Sequence, residues 1–371
     1  MSINLNIITI NIPYPPDYGG MIDTFYRIKA LHIMGVKIHL HCFEYGRNQA
    51  TELESLCASV YYYPRRSGLF QNFTKIPYVV YSRRSKELLK NLLKNDYPVL
   101  FDGLHTTIYL NHPALAGRKK LVRLHNIEHK YYHSLSVYEA NLLKKLYFRL
   151  ESFKLKRYEK VLGGADYIFS ISTIEHDYFE NRYHNSVYLA PFHPYNDCGC
   201  QPGIGDYILY HGDLSVNENV AMAEKLIENV FSKISYPCII AGKNPPGKML
   251  KMATAHTNIK VVPNPEELEM TALISNAHIN LLPALASNGF KIKLLFAFFG
   301  GRYCIVNSVF AESTDIGSLC HTADSNKDTI QLINSLMTEP FTENLIKVRK
   351  RELSDKWDNL SNGKKLADYI D

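Results

Sequence analysis

The sequence holds one tryptophan in 371 residues and no apolar run near the ~18 consecutive residues that a membrane-spanning helix needs. It has no short-period repeat and no low-complexity tract, which excludes a collagen, a coiled coil and a disordered chain. The N-terminal stretch MSINLNIITINIPYPP carries neither a basic start nor a small-residue cleavage site, so a cytoplasmic protein is expected. A disulfide framework is also missing. The seven cysteines (Cys42, Cys57, Cys198, Cys200, Cys238, Cys304, Cys320) are odd in number and sit mostly in apolar, strand-like runs, as reduced core thiols do. Cys198-Gly199-Cys200 is a local pair without a second ligand pair at zinc-site spacing. What remains is an ordinary globular composition, 46% hydrophobic and 21% charged, long enough for two compact units.

Charge is divided unevenly. Residues 1–200 hold 25 Lys and Arg against 17 Asp and Glu, whereas residues 201–371 hold 17 against 19. Much of the basic excess lies in 141–160, where Lys144, Lys145, Arg149, Lys154, Lys156, Arg157 and Lys160 alternate with Leu142, Leu143, Leu146, Phe148, Leu150 and Phe153. Such a segment suits an anionic membrane surface or a phosphorylated partner; the alternative is a solvated helix with one packed face.

The first half alternates short apolar strands with helical spacing. Leu5–Ile10 reads as a strand, Pro15-Pro16-Asp17-Tyr18-Gly19-Gly20 as a loop, and Ile22, Phe25, Ile28 and Leu31 as a helix stopped by Gly35 before the strand Val36–Cys42. Further strands are expected at Ser59–Tyr63, Val99–Asp102, Leu121–Leu124 and Tyr167–Ile171, with helical segments at Lys86–Leu93 and Val137–Val161. The stretch 190–205, rich in Pro and Gly, breaks the pattern. A second series follows, with strands at Tyr207–His211, Pro237–Ala241, Ile259–Val262, Ile279–Pro283 and Tyr303–Val306, each preceding or following a helix. Two doubly wound α/β domains in tandem are expected, 1–190 and 206–354, joined by a linker at 191–205. Their facing strand ends would form a cleft.

Candidate chemistry clusters at these strand ends. Gly19 and Gly20 bring free backbone N–H groups to a helix start, either as a ligand loop or simply as a tight turn. The dinucleotide fingerprint G-x-G-x-x-G is absent there. His125-Asn126-Ile127-Glu128-His129 ends one strand, and His105 with Thr106 ends its neighbour, so two imidazoles face the expected cleft. His129 and His133 lack a third ligand, and no metal site is expected. Gly212 opens the loop after the first strand of the second half. Most informative is Asn288-Gly289-Phe290-Lys291-Ile292-Lys293, where two lysines oppose the dipole of the helix they begin. Either they point into solvent or a bound anion offsets the penalty. A diphosphate would receive backbone N–H groups and an ammonium together.

These motifs, in this order and over nearly the whole chain, resemble the GT-B glycosyltransferases, and within them the large retaining family 4 (glycosyl transferases group 1). The resemblance rests on P-P-x-x-G-G at the N-terminal loop, R-x-H-N-x-E at Arg123–Glu128, A-D-x-I-x-x-I-S at Ala165–Ser172, G-x-L-S-x-x-x-N at Gly212–Asn219 and G-x-K-x-K-x-L at Gly289–Leu295. It implies a C-terminal helix within 355–371 that returns to the first domain, an acceptor in the N-terminal domain and a nucleotide-diphosphate sugar in the C-terminal one. By position, Lys291 and Lys293 with Gly289 would meet the diphosphate. Gly19, Gly20 and Gly212 would lie beside the donor, His125 would approach the transferred sugar, and His105, Asn126 and Glu128 would face the acceptor. Lys291 and His125 are thus the implied catalytic residues, with no metal and no cofactor beyond the nucleotide sugar. Where the family commonly has two glutamates eight positions apart, this sequence has Asn288 and Phe296; Asn288 can still hydrogen-bond sugar hydroxyls, and Glu312 is a candidate replacement acceptor.

The implied function is a retaining sugar transferase in surface polysaccharide or glycan assembly, acting on a glycan or polyprenyl-linked acceptor at the cytoplasmic membrane face. Two other readings are a catalytically silent scaffold or glycan-binding protein, and a sugar-nucleotide epimerase. Nucleic acid is not an expected partner, because the basic residues belong to no recognisable reading module.

Overall fold

The first strand already shows how the chain is layered. β1 (Asn4–Thr9) buries Leu5, Ile7 and Ile8 completely, although successive residues face opposite sides of a sheet, so both faces of this strand are covered. The computed structural model describes residues 3–68, 74–285, 289–312 and 319–370. After β1 come α1 (Gly19–Ile33), β2 (Lys37–Glu44), α2 (Thr51–Leu56), β3 (Ser59–Pro64), α3 (Tyr78–Tyr81), α4 (Lys86–Leu92), β4 (Val99–Asp102), β5 (Lys120–Leu124), α5 (Glu128–Tyr138), α6 (Leu142–Tyr158), β6 (Tyr167–Ser170), α7 (Thr173–Tyr183) and β7 (Ser186–Tyr188). They make a parallel sheet in the order β3-β2-β1-β4-β5-β6-β7.

The second series runs β8 (Ile208–His211), α8 (Asn217–Asn229), β9 (Cys238–Gly242), α9 (Gly247–Thr254), β10 (Ile259–Pro263), α10 (Glu267–Asn276), β11 (Ile279–Leu281), α11 (Lys293–Gly300), β12 (Tyr303–Val306), α12 (Ser308–Ala311), β13 (His321–Thr322), α13 (Asn326–Leu336), α14 (Glu343–Trp357) and α15 (Asn359–Ala367). Its sheet repeats the same winding, β10-β9-β8-β11-β12-β13, again parallel. Strand order reverses between β1 and β4 and between β8 and β11. Ligand crevices of doubly wound sheets open at such points, outside the carboxyl ends of the strands. The loops after β1, β4, β5, β8 and β11 therefore define where the site is built.

Helix α15 packs on α1. A Cβ at Gly363 would lie 3.0 Å from Met34 Sδ and 3.3 Å from the Ala30 Cβ, so glycine permits this approach. Leu366 and Ile370 join the core of the first sheet, each contributing about 1.5–3 kcal/mol by burial.

The strands lie within one or two residues of their expected places. One helical expectation needs correction: 137–161 is two helices, because the Asn141 side chain accepts from Leu143 N (3.0 Å) and Lys144 N (3.1 Å) and so starts α6 afresh. The polar cluster at His125–His129 is also not all loop, since Glu128 already opens α5.

Candidate functional site

Beneath the cleft lies a buried charge network that sequence spacing did not reveal as a unit. Asp23 and Arg27 are one turn apart on α1 and pair at 2.8 Å. Arg123 from β5 grips Asp23 with Nη2 (2.8 Å) and Nε (3.2 Å), and its Nη1 donates to the Leu189 carbonyl at 2.6 Å. Asp102, at the end of β4, lies 2.9 Å from Arg27 and accepts from Thr24. Burial pushes both carboxyls upward, but the guanidinium groups and His125 outweigh it and hold Asp23 and Asp102 below the usual carboxylate range. The output of the network is the position of His125, whose Nε2 lies 3.0 Å from Asp102 Oδ1 and whose Nδ1 lies 3.9 Å from Asp23 Oδ2.

Directly against this loop stands the Gly289 turn of the second half. Gly289 has φ +62°, and a Cβ there would fall 2.2 Å from Asn126 Oδ1 and 2.5 Å from the His125 carbonyl oxygen. Its N–H is not free, as a diphosphate cradle would have it. It donates to Glu175 Oε1 at 3.1 Å, so a carboxyl from α7 reaches across the cleft to the turn. Ser172 caps α7 and donates to the other Glu175 oxygen, which orients the carboxyl. Burial pushes Glu175 up to about 7, despite the Gly289 N–H and the nearby Lys130 and Lys291 charges.

Lys291 lies just before α11 rather than within it, and Lys293 is the first helical residue. Both ammonium groups turn inward. Lys291 Nζ is 3.8 Å from Glu218 Oε1. Lys293 Nζ sits over the Tyr210 ring, 5.1 Å from its centroid, and no carboxylate among the described residues lies within 4 Å. Burial first and Lys291 second lower its pKa to about 7, with Glu218 opposing. An anion beside Lys293 would relieve this cost.

The other expected residues are distributed around this centre. Gly19 and Gly20 open α1 with no side-chain cap, and their loop touches the second half where Lys243 Nζ lies 3.5 Å from Asp17 Oδ2. Gly212 follows β8 directly and lies next to Gly242, whose own Cβ would strike the Gly212 carbonyl. His105 and Glu128 approach each other at 3.9 Å. Burial, helped by Arg83 and Arg65, holds His105 far below the ordinary imidazole value, and its Nδ1 has no hydrogen-bond partner among the described residues. Burial pushes Glu128 up to about 8, with Asn126 and Arg83 opposing. Asn288 lies outside the described residues. Glu312 stands exposed at the end of α12, and no hydrogen bond or ion pair among the described residues joins it to Gly289 or Lys291. Phe296 is a packing residue, edge-on to Tyr195 at 5.7 Å. Sequence reading missed Asp23, Arg27, Asp102 and Glu175; the i,i+4 pair and the S-x-x-E cap were the available signals.

Beside the centre, α5 and α6 face Leu285 and Val309 across a groove of about 670 Å³ that also exposes His129, Lys130, His133 and Lys156.

Two doubly wound sheets facing across a cleft, with a last helix returning to the first, define the GT-B fold. No family model matches the chain. A Klebsiella pneumoniae protein described as an uncharacterized 44.6 kDa protein in cps region is 26% identical over 337 residues, covering 84% of this chain and 83% of its own. Among solved structures, TarM is similar with a TM-score of 0.71 at 10% identity, over 100% of this chain and 99% of its own. HepE of Anabaena, solved with UDP and glucose, gives 0.65 at 11% identity over 99% of both chains. Arabidopsis thaliana UGT89C1, complexed with UDP-L-rhamnose, gives 0.58 at 14% identity, over 100% and 99%.

Proposed function

We propose that this protein transfers a sugar from a nucleoside-diphosphate sugar, held by the second half, to a hydroxyl held by the first, with retention at the anomeric carbon. The observation that carries this reading is the pair Lys291 and Lys293, turned inward at the β11–α11 connection with Lys293 lacking a carboxylate partner among the described residues. As the anomeric C–O bond breaks, negative charge collects on the departing diphosphate, and two ammonium groups at a helix start stabilise it. The acceptor oxygen bonds to the anomeric carbon from the same face, and its proton passes to a donor phosphate oxygen. A nucleoside diphosphate and a glycoside result, without a metal or further cofactor. His125, oriented by Asp102, borders the transferred sugar; Asn126 and His105 meet the acceptor ahead of the buried Glu128. UDP is the first nucleotide to test, given the contents of the HepE and UGT89C1 structures. Surface polysaccharide assembly is favoured by the relative in the cps region.

The test is a panel of UDP-, GDP- and dTDP-sugars with the purified chain, read by binding and by nucleotide release. One donor is expected to bind and turn over, and Lys291→Ala to lower the rate about a hundred-fold or more at similar folded stability. No binding by any donor would leave the scaffold reading standing, and conversion of donor to an isomer without acceptor would support the epimerase instead.

The acceptor is proposed to be lipid-linked. Leu142, Leu143, Leu146, Leu150 and Phe153 are all more than half exposed along α6, among Lys144, Lys145, Arg149, Lys156 and Arg157. That combination suits an anionic bilayer surface. No helix of the described residues is long and apolar enough to cross a membrane. Sedimentation with phosphatidylglycerol vesicles but not phosphatidylcholine vesicles, lost in Leu146→Glu/Phe153→Glu, is the expected result.

A further inference from the structure

The Cys198-Gly199-Cys200 segment, which the transfer reading does not use, folds into a defined chemical site. Both cysteines are nearly buried, at 6% and 7% exposure, and their sulfur atoms lie 3.2 Å apart. The Arg349 guanidinium on α14 donates from Nη1 to Cys200 Sγ at 3.3 Å and to the Gly301 carbonyl at 2.7 Å, which fixes its direction. The Phe298 carbonyl lies 3.2 Å from Cys200 Sγ and takes its proton in the thiol form. Gly199 N donates to the Phe299 carbonyl at 2.7 Å, pinning the segment to the end of α11. One sulfur therefore receives both an arginine and a neighbouring thiol, while the other receives neither.

We propose that Cys198 and Cys200 are a reactive dithiol that a small hydroperoxide oxidises to a disulfide, with Cys200 as attacking sulfur, Arg349 as its counter-ion and Cys198 as resolving thiol. The Cys200 thiolate attacks one peroxide oxygen and the O–O bond breaks. The departing oxygen takes a proton and leaves as water or an alcohol, and Cys200 becomes a sulfenic acid. Cys198 Sγ then attacks Cys200 Sγ; the S–O bond breaks, the S–S bond forms, and water leaves with the Cys198 proton. Sulfur supplies the two electrons that reduce the peroxide, and a thiol reductant reverses the change.

The arrangement sets the order of reaction among the cysteines. Cys57 and Cys320 are more exposed, but burial holds their thiols up, to about 12 and about 11. The Cys198 hydrogen bond and Arg349 bring the Cys200 thiol below its ordinary value against burial. Thiolate content then outweighs exposure.

The test treats the full chain with hydrogen peroxide, then unfolds it in N-ethylmaleimide and maps each cysteine by mass. Expected is loss of two hydrogens from the peptide carrying Cys198 and Cys200, with Cys57 and Cys320 still alkylated and the change reversed by dithiothreitol. Arg349→Gln should slow the reaction about tenfold and Arg349→Lys much less. Cys198→Ser, which leaves Arg349 in place, should stop at a Cys200 sulfenic acid that dimedone captures. Prior oxidation of Cys57 or Cys320, a wild-type rate in a folded Arg349→Gln protein, or no dimedone adduct on Cys198→Ser would each overturn the proposal.

Discussion

At the scale of single residues, Lys293 is the group whose state a donor would change most. Free, its ammonium is lowered to about 7 by burial and by Lys291, so above that pH it is largely neutral. A diphosphate favours the charged form, so binding above pH 7 must draw a proton from solution. UDP affinity is accordingly expected to fall as pH rises through about 7. Calorimetry at about pH 8, in two buffers of different ionisation enthalpy, should show uptake approaching one proton. Lys293→Met should abolish the uptake and weaken UDP binding together. Unchanged uptake in that variant would move the titration to another group.

At the scale of elements, α1 is tied to β5 and the start of the linker by one carboxylate. Asp23 receives Arg27, Arg123 and the Phe192 backbone N–H, the last at 2.9 Å. Removing it leaves two buried guanidinium groups short of their counter-charge, and such breaks cost about 3–5 kcal/mol. Asp23→Ala is therefore expected to lower the denaturation midpoint by that equivalent and to loosen His125. Asp23→Asn, which keeps the shape but not the charge, should lose a similar amount if charge dominates. A loss below about 1 kcal/mol in both would show that the network contributes little to stability.

At the scale of the whole molecule, the first half meets the Gly289 turn of the second through one buried acid group, Glu175, and buries another, Glu128, on its own α5. Glu128 is raised to about 8 and Glu175 to about 7, chiefly by burial, and the Glu175 charge adds to the rise of Glu128. Unfolded, such carboxyls titrate near 4.5, so between that pH and their folded values the folded chain holds more protons than the unfolded one. Stability is greatest at the acid end of this window and falls as pH rises through it, by up to about 1.4 kcal/mol per pH unit for each group. Chemical denaturation between about pH 5 and pH 8 should show this slope. Glu128→Gln, neutral at every pH, should flatten it, and an equal slope in that variant would assign the effect elsewhere.

The sequence by itself determined the layered α/β architecture, because apolar strand runs and helical spacing alternate at local range and a βαβ series winds only one way. It placed β4, β5, β8 and the start of β11 almost to the residue, and with them the loops that carry His125, Gly212 and Lys291. Only the tertiary structure decided what those loops touch. Glu175 and Gly289 are 114 residues apart, and nothing local in either segment specifies their hydrogen bond. Asp23 meets Arg123 only because the fold brings β5 against α1, and the two lysines faced either way until Tyr210 and Glu218 closed around them. Periodicity encodes which face of an element is buried; the partner on the far side of a cleft is set by how two sheets come together, which spacing along the chain does not record.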